Sequence, residues 1–217
     1  MAAMILAAGR GERLRPVTDT IPKALVEVRG QVLIDRHLAM LAAAGIDTVV
    51  INLGWLGDHI VDHVGSGERF GMRVVYSPEY DNVLETGGGI RRALPMLGSD
   101  PFWVVNADIY TDFRLPDTRL GEALSAELVL VPTPPHKLRG DFDLVDGRTR
   151  NHSTPALTYS GIARYRPSFF AATEDGRFSV APMLREAADA GRLGGMLYEG
   201  AWQDIGTPER LDAFNRR

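Results

Sequence analysis

The segment from Met4 to Lys23 holds the residues of this chain that are best suited to chemistry. It reads MILAAGRGERLRPVTDTIPK, so a short apolar run opens into a loop with two glycines and three arginines and ends at a lysine. Glycines let backbone N–H groups approach phosphate oxygens closely, and guanidinium groups bind such oxygens in pairs. The segment therefore predicts a polyphosphate site.

Two common phosphate motifs do not describe this loop. A dinucleotide-binding fingerprint needs a third glycine where this chain has Leu14, and a Walker A loop needs Gly-Lys-Ser/Thr, which the sequence lacks. Because Pro16 and Pro22 would interrupt a regular helix, we predict an ordered loop over residues 9–23.

Lys23 is our first candidate for a residue that contacts phosphate. It is one of only two lysines, the other being Lys137, and arginine supplies 22 of the 24 basic residues. A chain that otherwise uses arginine keeps lysine where a compact, flexible ammonium group is needed. The alternative is that an arginine-rich composition left a lysine here by accident.

The pattern of apolar residues indicates which elements position this loop. In the first half, predicted strands (2–6, 48–52, 73–76, 102–106) alternate with predicted helices (34–44, 57–64, 88–94). Such alternation predicts a mostly parallel sheet with helices on both faces, and ligands of such sheets bind at the carboxyl ends of the strands. The loop and Asp108 both follow strands, so we expect them at the same edge.

The second half has a different pattern. Residues 127–131, 141–145 and 157–165 are strand-like and are separated by loops rich in proline, glycine and histidine. We expect mixed or antiparallel strands here, followed by helices at 180–190 and 208–214, the last with Thr207 as its N-cap. No linker divides the chain.

Two other segments bring polar groups toward the predicted edge. The carboxylate of Asp108 could bind Mg²⁺, which prefers oxygen ligands, or it could simply be solvated in a turn. Glu85 precedes Thr-Gly-Gly-Gly, whose glycines would let a base or ribose lie against the backbone. The same glycines could instead only form a tight entry into the helix that follows.

Composition restricts the class of protein. The 217 residues are 45% hydrophobic and 24% charged, with a net charge of −4 and no cysteine. Disulfide and thiol chemistry are therefore excluded, and any metal must be held by oxygen or histidine ligands. No basic tract supports binding to nucleic acid or an anionic membrane, and no apolar run approaches the ~20 residues of a membrane span. We expect a cytoplasmic protein.

The pattern L-x-x-G-x-G-x-R-x-x-P-x-T, followed by Pro-Lys, resembles the signature of sugar-1-phosphate nucleotidylyltransferases. The matching positions are Leu6, Gly9, Gly11, Arg13, Pro16, Thr18, Pro22 and Lys23. The resemblance implies an α/β fold: a single Rossmann-like nucleotidyltransferase domain over 1–217, with a mostly parallel mixed central sheet flanked by helices. It also implies a nucleotide-binding half at about 1–110 and a sugar-binding half at about 111–217.

The resemblance also implies roles for individual residues. Nucleotide binding falls to Leu6, Ala7, Ala8, Gly9, Gly11, Arg13, Lys23, Glu85 and Gly87. Catalysis falls to Lys23, Arg13, Asp108 and Asp204, with Mg²⁺ held by Asp108 and Asp204. Sugar binding falls to Asn106, Asp141 and Ser160.

One further segment supports the resemblance, and two positions depart from the family pattern. The segment from Trp202 to Pro208 matches the family's W-x-D-x-G-T-P, whereas Ala107 stands where a glycine usually precedes the metal-binding aspartate. Residues 151–157 lack the lysine with which many larger members grip the sugar phosphate.

The compact length and the Thr-Gly-Gly-Gly segment imply particular substrates within the family. By this resemblance we expect UTP and N-acetylmuramate 1-phosphate as the small-molecule substrates, and a monomer or weak homo-oligomer. The first alternative keeps the chemistry but pairs GTP or another NTP with a mannose, heptose or glucose 1-phosphate. A second is a catalytically silent sensor of nucleotide sugars, which is expected to lack a metal carboxylate or the loop lysine.

Overall fold

Strands and α-helices alternate along the residues that the structure, a computed structural model, describes, 1–80 and 82–216. The strands are β1 (Ala2–Leu6), β2 (Glu27–Val28), β3 (Gln31–Val32), β4 (Thr48–Leu53), β5 (Arg73–Pro78), β6 (Phe102–Asn106), β7 (Ile109–Thr111), β8 (Ala126–Pro132), β9 (Asp143–Val145), β10 (Arg148–Arg150), β11 (Leu157–Tyr165), β12 (Leu193–Leu197) and β13 (Trp202–Asp204). The helices are α1 (Leu33–Ala43), α2 (Gly57–Val64), α3 (Glu85–Leu97), α4 (Ala181–Asp189) and α5 (Pro208–Asn215).

Nine of these strands form one mixed sheet in the order β5-β4-β1-β6-β11-β8-β12-β10-β9. Strands β5, β4, β1 and β6 are parallel neighbours, which confirms the parallel pattern predicted for the first half. Strand β11 is antiparallel to both β6 and β8, and β12 is parallel to β8. The mixed strands expected in the second half are therefore present, and they extend the same sheet.

The central strands are buried on both faces, so their alternate residues feed two separate cores. Ile5 packs with α1 and α2 on one face, whereas its neighbour Met4 packs with α3 and α4 on the other. Both side chains are fully buried. Because successive strand residues point to opposite faces, an uninterrupted apolar run such as β1 needs helices on both sides of the sheet.

A small ribbon and the last helix close the edge at which the parallel strands end. Strand β13 pairs antiparallel with β7, with Asp204 opposite Ile109. Thr207 accepts a hydrogen bond from the backbone N–H of Arg210 and so caps α5, as predicted. Leu14 of the glycine-rich loop packs in the same apolar cluster as Ile205 and Leu211, which ties the loop to the ribbon and the helix.

The predicted element bounds agree with the structure to within three residues, and the largest difference is informative. We predicted that Glu85 and its glycines precede a helix beginning at residue 88, but α3 begins at Glu85. The glycines therefore lie inside the first turns of α3. These positions must be glycine, because the packing around them leaves no room for side chains. A Cβ on Gly87 would lie 2.4 Å from the Phe178 ring, and one on Gly88 would lie 2.1 Å from the Gly176 carbonyl oxygen.

None of the helices in the described ranges combines the length and apolar character that crossing a membrane requires.

Candidate active site

A cavity of about 660 Å³ lies where the parallel strands β1, β4 and β6 end. Its lining includes most of the residues that the sequence had singled out. These are Leu6, Ala7, Ala8, Gly9, Gly11, Arg13, Lys23, Glu85, Asn106 and Asp108. The glycine-rich loop, the start of α3 and the end of β6 therefore meet around one space.

The glycine-rich loop contains no regular α-helix, as predicted, and it folds through three 3₁₀ turns. The hydroxyl of Thr18 donates to the carbonyl oxygen of Gly11 at 2.8 Å. Gly11 has a φ of +64°, and a Cβ there would lie 2.9 Å from the Thr18 methyl carbon. The hydrogen bond between Thr18 and Gly11 closes the loop on itself. Position 11 requires glycine, because its backbone is left-handed and a side chain would collide with Thr18.

Lys23 and Asp108 form an ion pair in the cavity wall. The Nζ atom of Lys23 lies 2.7 Å from Oδ2 of Asp108, with side-chain exposures of 13% and 34%. Lys23 begins a 3₁₀ turn directly after Pro22, and Asp108 follows β6. The loop therefore delivers a mostly buried ammonium group to the carboxylate that follows the central strand.

Asp204 reaches the same region through the ribbon. The backbone N–H of Ile205 donates to the carbonyl oxygen of Asp108 at 2.9 Å, so the two aspartates lie on adjoining backbone segments. The Asp204 carboxylate accepts from the Arg210 guanidinium and lies 3.2 Å from Nε2 of His136. It does not line the cavity among the described residues, whereas Gly206, two residues on, does.

The donor set around the two aspartates is compatible with Mg²⁺. Carboxylate oxygens are the ligands that this ion prefers, and it is commonly held by one or two carboxylates together with substrate phosphates and water. Over residues 1–80 and 82–216, no group of three or more histidines, aspartates or glutamates is arranged to hold a metal. Any metal held by Asp108 and Asp204 would therefore need further ligands from substrate or water.

Three other predicted residues, Gly87, Asp141 and Ser160, lie outside the cavity lining in the described part of the chain. The backbone N–H of Gly87 donates to the Phe178 carbonyl oxygen at 3.0 Å, and its α-carbon packs against that residue. The Asp141 carboxylate accepts from Lys137 Nζ and from the backbone N–H of Tyr159, each at 3.0 Å. These contacts hold the local backbone.

Ser160 contributes to the site through its backbone. Its side chain is buried and accepts from the Ile162 N–H, while its carbonyl oxygen accepts from the Trp202 indole. The following Gly161 has a φ of +87°, and a Cβ there would lie 2.9 Å from the Asn106 side-chain nitrogen. The strand irregularity at this point therefore makes room for Asn106, which lines the cavity.

Sequence reasoning missed four side chains that shape the site. Asn52 and Glu79 line the cavity and bond to each other, and Arg210 and His136 contact Asp204. Asn52 could have been noticed, because it is a polar residue near the carboxyl end of the apolar run TVVINL. No comparable sequence signal marks the others, since their partners are distant in the chain or depend on how α5 docks.

His37 is a fully buried histidine on α1 beneath this edge. Desolvation lowers the pKa of its imidazole to about 4, while the Ala107 backbone and the negative charge of Asp108 act in the opposite direction. At neutral pH the ring is uncharged, so it adds no positive charge beneath the Lys23–Asp108 pair.

Comparison with known proteins agrees with this geometry. The family described as "MobA-like NTP transferase domain" matches residues 3–136. The chain is 46% identical to N-acetylmuramate alpha-1-phosphate uridylyltransferase of Neisseria meningitidis serogroup B, over 97% of this chain and 95% of that protein. It is 36% identical to the protein of the same name from Caulobacter vibrioides, over 99% and 96%.

The fold has counterparts among solved structures. The crystal structure of HddC from Yersinia pseudotuberculosis, complexed with GMP-PN, superposes with a TM-score of 0.78 at 22% identity, over 99% of this chain and 98% of that one. The chain belongs to the family of MobA-like NTP transferase domains.

Proposed function

We propose that the protein transfers a uridylyl group from UTP to N-acetylmuramate 1-phosphate, giving UDP-N-acetylmuramate and pyrophosphate. The observation that carries the reaction class is the contact of 2.7 Å between Lys23 and Asp108, where the glycine-rich loop meets the end of β6. The choice of substrates is supported by the two relatives of that name, which align over nearly the whole chain.

The proposed reaction is an in-line displacement at the α-phosphorus of UTP. An oxygen of the sugar 1-phosphate forms the new P–O bond, while the bond to the bridging oxygen between the α- and β-phosphates breaks and pyrophosphate leaves with the electron pair. Because the attacking phosphate is already ionised near neutral pH, no general base is required. The rate then depends on positioning and on stabilisation of charge.

The chain's own groups supply both the positioning of the substrates and the stabilisation of charge. The backbone N–H groups of the glycine-rich loop and the Arg13 guanidinium hold the β- and γ-phosphates and the departing pyrophosphate. The Lys23 ammonium exchanges its ion pair with Asp108 for one with the α-phosphate, and it stabilises the charge that develops there. The pair seen between Lys23 and Asp108 keeps that ammonium in the cavity before the nucleotide arrives.

Asp108 and Asp204 would together hold a Mg²⁺ ion, which would supply positive charge where two anionic phosphates must approach each other. Arg210 contacts Oδ2 of Asp204 and His136 lies beside Oδ1, so these two side chains hold the Asp204 carboxylate in place. Asp108 is the more accessible ligand, because it already lines the cavity.

The remaining assignments concern the ends of the two substrates. Glu85 would contact the base or ribose, and Asn106 would contact the sugar, because both line the cavity. Gly87, Asp141 and Ser160 lie outside the lining that the described residues form and would support these ends through the backbone contacts described above. Such an enzyme would act in reuse of cell-wall sugars, in the cytoplasm, as a monomer or weak homo-oligomer.

Pyrophosphate release tests the proposal. UTP, GTP and dTTP would each be combined with the 1-phosphates of N-acetylmuramate, N-acetylglucosamine, glucose, mannose and heptose, with Mg²⁺ and then with EDTA. We expect metal-dependent release that is fastest for UTP with N-acetylmuramate 1-phosphate. Faster release with another pair would assign that pair as the substrates instead, and no release with any pair would refute the enzymatic proposal.

A further inference from the structure

Asn52 connects two parts of the cavity wall that are far apart in sequence. It lies on β4 and is 3% exposed. Its side-chain oxygen accepts from the backbone N–H of Ala7 at 2.6 Å, and its side-chain nitrogen donates to Oε1 of Glu79 at 2.9 Å. The other oxygen of Glu79 accepts from the backbone N–H of Leu84 at 2.9 Å. We call this chain of three hydrogen bonds the Asn52–Glu79 link.

The two ends of the link are the two places where a nucleotide would be held. Ala7 begins the turn from β1 into the glycine-rich loop, and Leu84 directly precedes Glu85 at the start of α3. Both Asn52 and Glu79 also line the cavity. The link therefore sets the distance between the phosphate end and the base end of the site.

Gly89 makes room for this link, and Gly54 lets the end of β4 approach the glycine-rich loop. A Cβ on Gly89 would lie 2.8 Å from Oε1 of Glu79 and 3.0 Å from the Asn52 nitrogen. A Cβ on Gly54 would lie 2.2 Å from the carbonyl oxygen of Ala8. One of the three consecutive glycines of α3 is thus explained by the link.

The two ends of the link restrict which side chains can connect them. Ala7 and Leu84 both offer N–H donors, so the two side chains must present one acceptor to each and share one donor between them. An amide at position 52 and a carboxylate at position 79 meet this requirement. So does the reverse arrangement, a carboxylate at 52 and an amide at 79, which keeps the same net charge.

We propose that Asn52 is a positioning residue that acts through Glu79 to fix the glycine-rich loop relative to the start of α3, so that an NTP finds its phosphate and base sites already in register. This rests on the proposed function, since it assumes a ligand that spans both ends. A ligand that binds at two points loses affinity when the spacing of those points is no longer held before binding.

The test exchanges the amide and the carboxylate. Glu79→Gln puts two amides in the link, so two N–H donors face each other at one of its three contacts, and no proton can move to relieve this. Asn52→Asp combined with Glu79→Gln restores all three hydrogen bonds. The affinity for UTP, GTP and dTTP is measured by calorimetry without acceptor, alongside the melting temperature. For the nucleotide that the wild type binds best, we expect Glu79→Gln to weaken binding at least tenfold and the double variant to recover to within threefold.

Two further variants separate positioning from general stability. Thr149→Val removes a buried hydrogen bond of 2.7 Å to the Gly194 carbonyl oxygen, far from the cavity. It should lower the melting temperature and leave nucleotide affinity within twofold. Gly89→Ala crowds the link without removing any polar group, and it provides the test if Glu79→Gln does not fold. We expect Gly89→Ala to weaken nucleotide binding at least fivefold and to raise the KM for NTP while leaving the KM for the sugar phosphate within twofold.

Unchanged nucleotide affinity in folded Glu79→Gln or Gly89→Ala would overturn the positioning role. So would a double variant that regains its melting temperature but not its affinity. Failure of the proposed function is a different result, because the wild type itself would then release no pyrophosphate from any of the nucleotides.

Discussion

Replacing Lys23 by methionine should lower kcat much more than it lowers stability. The Lys23–Asp108 pair is partly open, with exposures of 13% and 34%, so water can solvate the carboxylate left behind. We therefore expect a loss of about 1 kcal/mol in the free energy of unfolding, as for other solvent-accessible pairs, which corresponds to a melting-temperature drop of about 2–4 °C.

The catalytic loss should be larger because Lys23 would act on charge that develops only in the transition state. Removal of one such preorganised group costs about 2.7–4 kcal/mol, or roughly 10²–10³-fold in kcat. Pyrophosphate release at saturating substrate measures kcat, and thermal unfolding measures the stability term separately.

Lys137→Met is the matched control for this prediction. Lys137 is the only other lysine, it also pairs with an aspartate, and its 3.0 Å contact with Asp141 lies outside the cavity lining of the described residues. We expect a similar small change in melting temperature and less than a threefold change in kcat. Equal loss of kcat in both variants, or a Lys23→Met enzyme with wild-type kcat, would refute the role given to Lys23.

Three predictions concern stability, each measured by denaturant unfolding. The folded pKa of His37, about 4, lies below its ordinary 6.5, so the unfolded state takes up the proton first. Stability should therefore fall by about 2 kcal/mol between pH 8 and pH 5, and a His37→Met variant that keeps the full slope would contradict this. Gly87→Ala places a Cβ 2.4 Å from the Phe178 ring and should cost about 1–3 kcal/mol, whereas an unchanged midpoint would show that the ring yields freely. Thr207→Ala removes the cap of α5 and should lower the free energy of unfolding by about 1 kcal/mol. Thr207→Ser keeps the hydroxyl and should retain most of that stability; an equal loss in both variants would argue against the cap.

The elements whose signals are local were predictable from the sequence. Helix α2 and strand β11 have the predicted bounds, because their apolar patterns are set by residues within a few positions of each other. The glycine-rich loop was equally predictable, since the residues of its signature are contiguous in the sequence. The start of α3 was not, because contacts from Gly176 and Phe178 stabilise a glycine-rich helical turn that local propensity disfavours.

The same distinction applies to the site. The approach of Asp204 to Asp108 depends on the pairing of β13 with β7, which no spacing in the sequence shows and which only the family resemblance implied. The contacts of Arg210 with Asp204 and of Asn52 with Glu79 depend on the docking of separate elements. Such partners become visible only when the tertiary structure is known.

The fate of the α-phosphate is the most direct measurement of the central claim. UTP labelled with radioactive phosphate at the α position would be incubated with N-acetylmuramate 1-phosphate and Mg²⁺, and the products would be separated by chromatography. Attack at the α-phosphorus predicts that all transferred label appears in UDP-N-acetylmuramate and none in pyrophosphate. Label released as UMP, or no labelled sugar nucleotide at all, would contradict it.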